Sequence, residues 1–173
     1  HLQLIDPADI PRFRKLDVIA NFQPLWAYAD EYITELTLPY MSTARARWLY
    51  PIRSVQESGA TIAFGSDWSV STANPFHQLE TAITRMGATG DTQAPFIAHE
   101  AIDLPSALAA FTINAAYVNN LESISGSIEV GKAADLIVLD RNLFEIPPGE
   151  ISEAKVLLTL LDGKAVHGNP TRL

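Results

Sequence analysis

The sequence predicts an α/β fold, with buried parallel strands alternating with helices and a closing segment of short strands. Four observations carry this. The run Ala60-Thr61-Ile62-Ala63-Phe64, bounded by Gly59 and Gly65, is short and apolar, as a strand covered on both faces should be. It ends in Gly65-Ser66-Asp67, placing a carboxylate just past a strand, where (β/α)8 barrels keep their chemistry. His1 stands 66 residues before Asp67; a barrel of about 250 residues spends ~31 per βα unit, so the interval is close to two units and both side chains would share one rim. From Ser123 onward the pattern changes to short strands.

The elements follow in order. Residues 7–15 read as a helix, with Asp6 as N-cap and Pro7 at the first helical position. Residues 18–22 form a short buried strand leading into Gln23-Pro24. The aromatic-rich stretch 25–40 is too long for a simple connection, and in a barrel a long segment after a strand belongs to the active-site face. Residues 42–58 are expected to be one helix, capped by Ser42 and stopped by Gly59. After Asp67 a polar loop leads to Pro75, and Phe76, Leu79, Ile83 and Met86 mark one face of the next helix. Residues 87–95 read as a surface loop. Residues 104–119 are expected to be a single helix opened by Pro105, with Leu108, Phe111, Ala115 and Val118 as its buried stripe. Strands are expected at 126–128, 136–139, 156–161 and 165–167, the last two joined by an Asp162-Gly163 hairpin turn.

Composition narrows the function classes. With 47% hydrophobic residues among 173, the chain can bury the core of one domain. Its net charge is −8, from 20 acidic and 12 basic residues, and the cations are scattered, which argues against a nucleic-acid partner. The lack of cysteine removes disulfides and thiolate metal sites. No apolar run reaches the ~18 residues of a membrane span and no signal peptide is recognisable, so a soluble, cytoplasmic protein without a membrane partner is expected. The chain begins inside a motif with His1 rather than Met and is read as part of a longer polypeptide.

Four stretches carry a family resemblance: His1-Leu2-Gln3-Leu4-Ile5-Asp6, the Gly65-Ser66-Asp67 strand end, Asn114-Ala115-Ala116, and residues 126–140 with Gly131-Lys132-Ala133-Ala134-Asp135-Leu136. Together they resemble the C-terminal part of the amidohydrolase superfamily, specifically the YtcJ-like branch that includes N-substituted formamide deformylases. The resemblance runs over essentially the whole chain. It implies that residues 1–122 are the C-terminal part of a (β/α)8 TIM-type barrel, about strands 6–8 with their helices, and residues 123–173 a segment of a small β-sandwich domain. It also implies a metal-dependent hydrolase that cleaves a non-peptide C–N bond of a small amide, formamide or cyclic amide with a metal-activated hydroxide, zinc being the expected metal.

Metal-assisted hydrolysis needs a Lewis acid, a water made acidic enough to attack, and a base for its proton. The resemblance makes Asp67 the catalytic aspartate, both metal ligand and proton shuttle to the leaving nitrogen. His1 matches the metal-ligating histidine that ends the sixth strand. The residues alone also allow Asp67 to be no more than the cap of the helix near Asn74-Pro75. Gln23, ending the presumed seventh strand, is a candidate for contact with substrate or the bound water, or a rim glutamine paired with backbone. Trp68 is a candidate substrate-binding wall, with Trp26 beside it, although either tryptophan could instead be packing. His77, His99 and His167 stand at no strand end and fit no His-Glu-x-x-His pattern, so none is assigned as a ligand.

The departures matter as much. The superfamily's His-x-His pair, bridging Lys or Glu, and fifth-strand His have no counterpart here, while a catalytic zinc site takes about three protein ligands; the isolated chain is expected to hold no zinc and to be inactive. Residues 126–133 come one residue short of a phosphate-binding loop, since Ala133 has no hydroxyl for Mg²⁺, and its glycines read better as turn residues. At most three barrel strands are present where closure takes eight, so self-association or pairing with the missing N-terminal part is expected. Two rival readings stay open, a non-catalytic half-barrel module that pairs with a partner chain and an amidohydrolase-type enzyme with a non-hydrolytic reaction.

Overall fold

A computed structural model of the chain describes residues 1–88, 90 and 94–172; the loop expected over 87–95 lies partly outside the described residues. Strands β1 (Ala20–Phe22) and β2 (Ile62–Phe64) pair in parallel, Ala20 opposite Ile62 and Phe22 opposite Phe64. These are the two apolar runs the sequence marks, each shortened at its start. A parallel pair needs a crossover, and helices α2 (Glu31–Thr34), α3 (Thr43–Ala46) and α4 (Ile52–Glu57) lie within it. All of β2 is buried, beneath α6 (Leu104–Phe111) and α7 (Ile113–Val118). The Phe64 and Phe111 rings meet edge to face at 5.3 Å, and Asn114 Nδ2 donates to the Ile62 carbonyl at 2.9 Å.

Three helix expectations need correction. The first helix, α1 (Ile10–Lys15), starts later than residue 7 with Asp9 as N-cap; Asp6 instead accepts from the Ala8 N–H at 2.9 Å in the preceding turn. The single helix expected over 42–58 is broken between α3 and α4. Pro51 has no N–H to continue it, Tyr50 adopts φ 49°, and the carbonyls of Leu49 and Tyr50 accept from the Arg85 guanidinium. The helix expected over 104–119 is broken at Thr112 (φ −114°, ψ −95°). There the threonine N–H and hydroxyl both donate to the Leu108 carbonyl, a pattern that bends helices. Helix α5 (Pro75–Thr84) opens at Pro75 as predicted, capped by the Asn74 side chain on the Phe76 N–H. Asp67 is therefore not its cap.

A second sheet, β3 (Leu136–Leu139), β4 (Val156–Leu161) and β5 (Lys164–His167), is antiparallel. Asp162 and Gly163 both take positive φ, 49° and 74°, the requirement of a type I′ hairpin turn. The strand expected over 126–128 is absent. Gly126 sits at φ 88°, and a Cβ there would lie 2.6 Å from Ala116 Cβ, so its backbone rests on α7 in a conformation no extended strand permits. The chain returns to the first sheet through the 3₁₀ turn Pro148–Glu153, which packs on α5. The buried Glu80 carboxylate accepts from the Ser152 N–H at 2.7 Å, and Ser152 Oγ donates to the Ala88 carbonyl at 3.0 Å. One hydrophobic cluster joins Phe22, Ile52, Ile62 and Leu79 to Leu143 and Ile151. Among the described residues no helix is long and apolar enough to cross a membrane.

Candidate active site

Because β1 and β2 are parallel, their C-terminal ends emerge side by side. Gln23 directly follows β1, and Asp67 comes three residues after β2. Asp67 turns the chain back, its carbonyl accepting from Val70 N–H at 2.8 Å and Ser71 N–H at 3.2 Å. It does so at φ 58°, a region Asp enters more readily than most residues. The fully buried Gln78 of α5 ties both loops together: Oε1 accepts from Leu25 N–H and Nε2 donates to the Ser66 carbonyl, each at 3.2 Å. The segment carrying His1 is held by a bridge between Leu4 and Leu49 and by the Tyr50 N–H donating to the Gln3 carbonyl at 2.8 Å.

This framework brings His1, Gln23 and Asp67 together. His1 Nδ1 lies 2.7 Å from Gln23 Oε1, and His1 Nε2 lies 3.5 Å from Asp67 Oδ2. A carboxamide oxygen only accepts, so the imidazole proton sits on Nδ1 and the Nε2 lone pair faces the carboxylate. Two facing acceptors are compensated by a second proton or by a cation between them. Two ligands of a tetrahedral zinc, each about 2.0–2.1 Å from the ion, stand roughly 3.3 Å apart, close to the observed separation. A histidine whose other nitrogen is fixed by an oxygen acceptor is also the usual form of a metal-ligating imidazole. The donor set thus fits one shared divalent ion. Among the described residues no group of three or more His, Cys, Asp or Glu side chains converges for metal binding, so this chain offers two donors.

The pair opens into a cleft of about 650 Å³, walled by Trp26, Asp30, Tyr32 and Tyr50 among others. The segment 25–40 forms one side of it, as its length predicts. Burial, reinforced by the Asp30 carboxylate, pushes the Tyr50 phenol up to about 12, with Arg85 opposing. Burial likewise lowers the Arg85 guanidinium to about 10, offset by the buried Glu100. The Gln23 carboxamide oxygen is engaged by His1. Trp68 is 72% exposed and lies outside the cleft lining, whereas Trp26 is within it. His77 lies on α5, His99 Nε2 is 3.8 Å from Glu100, and His167 Nε2 donates to the Val156 carbonyl.

Sequence reasoning missed Gln78, Asn114's carbonyl contact, and the Arg85–Tyr50 pairing. Gln78 carries a faint signal, an amide beside the apolar face of α5. Nothing local distinguishes Arg85 from a solvated arginine.

Comparison with known proteins fits this geometry. The model of the amidohydrolase family matches residues 1–167. The chain is 38% identical over 115 residues to the N-substituted formamide deformylase of Arthrobacter pascens, covering 66% of this chain and 21% of that protein. It is 33% identical over 169 residues to the protein LONG AFTER FAR-RED 3 of Arabidopsis thaliana, covering 96% and 28%. An uncharacterized metal-dependent hydrolase from Pyrococcus horikoshii superposes with a TM-score of 0.72 at 25% identity, over 86% of this chain and 29% of that one. The chain thus spans under a third of the length of each of these relatives. With its two parallel strand ends, its paired imidazole and carboxylate and a family match over nearly its whole length, the chain belongs to the amidohydrolase family.

Proposed function

We propose that this chain supplies part of the catalytic rim of a metal-dependent hydrolase acting on a non-peptide C–N bond of a small amide-type substrate. The observation that carries this is the convergence of His1, Gln23 and Asp67 at the ends of adjacent parallel strands beside a cleft. The likeness to a deformylase supports the bond type. In this reading β1 and β2 are the last two strands of a (β/α)8 barrel within residues 1–122, flanked by a small β-domain over 123–173. The outer edges of a two-stranded parallel sheet need covering, and further barrel strands or a second copy provide it.

His1 through Nε2 and Asp67 through Oδ2 would hold a divalent ion, zinc first among candidates, whose chemistry is that of a Lewis acid toward the amide carbonyl. Gln23 keeps the imidazole turned toward Asp67 through its carboxamide oxygen, and its NH2 group is the part of the side chain that would face substrate or the attacking water. The Asp67 carboxylate, 29% exposed, takes the proton of the attacking water and returns it to the leaving nitrogen as the C–N bond breaks, giving an acid and an amine. Replacing Asp67 by Asn in the protein that carries this chain should lower turnover at least ~100-fold, the scale of lost acid–base catalysis, with the melting temperature retained. Turnover at the wild-type rate would remove Asp67 from the mechanism.

A further inference from the structure

The cleft contains a phenol for which this mechanism has no task. Tyr50 is only 5% exposed and lines the same cleft as His1 and Asp67. Among the described residues its hydroxyl has no hydrogen-bond partner, yet it is not sealed from solvent. In a residue so nearly buried, an open and unpartnered donor on a cleft wall is the group an acceptor of a bound molecule would meet. Among the described residues no lysine or arginine lines the cleft, so the side chains it offers an acceptor oxygen, beside the ion that His1 and Asp67 would hold, are neutral donors such as this phenol.

The backbone around Tyr50 is fixed from several sides. Its φ of 49° is uncommon for a bulky residue and persists only where the surroundings impose it. They do: the Tyr50 N–H donates to Gln3, and its carbonyl accepts from Ile52 N–H at 2.8 Å and Arg85 Nη1 at 3.1 Å. Arg85 Nη2 also holds the Leu49 carbonyl at 3.3 Å. Arg85 is fully buried, as is Glu100, which fixes Ser54 through the N–H at 2.9 Å and through the hydroxyl. Burying a guanidinium carries a large desolvation cost; this one ties the turn at Leu49 and Tyr50 to the Phe96 carbonyl, to which Arg85 Nε donates at 2.9 Å.

We propose that Tyr50 is a substrate-binding residue whose hydroxyl donates a hydrogen bond to an acceptor oxygen of the bound amide, with Arg85 as the positioning residue that fixes its backbone. The inference rests on the cleft being the amide-binding site. The upward-shifted phenol stays protonated, and so stays a donor, throughout the neutral range.

The test uses N-butylformamide as probe and the metal-loaded protein that carries this chain. Tyr50→Phe should weaken the calorimetric Kd about tenfold and raise KM similarly with kcat within about twofold, the size of one neutral hydrogen bond. Its melting temperature should not change, because the hydroxyl has no internal partner. Arg85→Lys should weaken Kd about threefold; a lower melting temperature with unchanged Kd would overturn the positioning role. Equal Kd for wild type and Tyr50→Phe, or no binding by wild type, overturns the role of Tyr50. Binding without turnover defeats the hydrolase reading alone, and Tyr50 is then judged on Kd.

Discussion

The two sheets of this chain are stabilised in opposite ways. In the parallel pair, Phe22 is fully buried and every β2 residue is buried, although each strand has only three residues and few ladder bonds. Its order comes from the helices that cover it, each large buried side chain contributing about 1.5–3 kcal/mol. In the antiparallel sheet β5 is exposed throughout, and Leu161 and Val166 are 57% and 60% exposed. That sheet draws its order from hydrogen bonds between neighbours in sequence and from the Asp162-Gly163 turn. The candidate chemistry sits on the first region, where packing leaves the strand ends little freedom, as a preorganised site requires.

One substitution in each sheet offers the severest test of this contrast. Phe22→Ala should destabilise the protein by about 3–5 kcal/mol, while Val166→Ala should stay within about 0.5 kcal/mol; denaturant titration yielding equal losses would break the comparison. Smaller in energy is the effect at the rim. Gln23→Leu removes the acceptor that orients His1 and, in the protein that carries this chain, should weaken zinc binding at the proposed site roughly 10- to 100-fold, measured by competition with a chelator, with little change in melting temperature. An unchanged zinc affinity would mean that the parallel pair presents His1 without help from Gln23.

The smallest effect concerns the contact that joins the two regions. Burial pushes the Glu80 carboxyl above the ordinary glutamate range, partly opposed by Ser152. A pKa raised on folding contributes stability that is complete below the unfolded value and is lost as pH rises through the folded value. Glu80→Gln keeps an acceptor for the Ser152 N–H and abolishes the titration. The variant should gain stability relative to wild type as pH rises from the ordinary glutamate value of about 4.3 through the raised folded value, read as the difference in melting temperature at each pH. A difference that does not vary with pH would show that Glu80 joins the regions without titrating in this range.

Much of the candidate site was legible because its signals are local. Gly65-Ser66-Asp67 ends an apolar run, Gln23 ends another, and the spacing from His1 to Asp67 matches the length of two βα units. Both strand positions, the Pro75 helix start and the hairpin turn follow from periodicity and from residue types with fixed backbone preferences.

Tertiary structure alone decided what joins distant segments. Arg85 reaches the Tyr50 carbonyl across 35 residues, Gln78 reaches Leu25 across 53, and Asn114 reaches Ile62 across 52. Each is a single polar side chain bonded to a backbone group of a distant segment, and its partner is set by the path of the chain through the core. The two helix breaks differ in origin: at Thr112 the hydroxyl bonds the carbonyl one turn earlier, a local effect, whereas at Tyr50 the stop set by Pro51 is joined by Arg85 from 35 residues away. The sequence thus determined which residues could react and where the strands lie. Their meeting at one rim, and the turn that directs Tyr50 toward it, required the buried polar contacts that only the assembled fold creates.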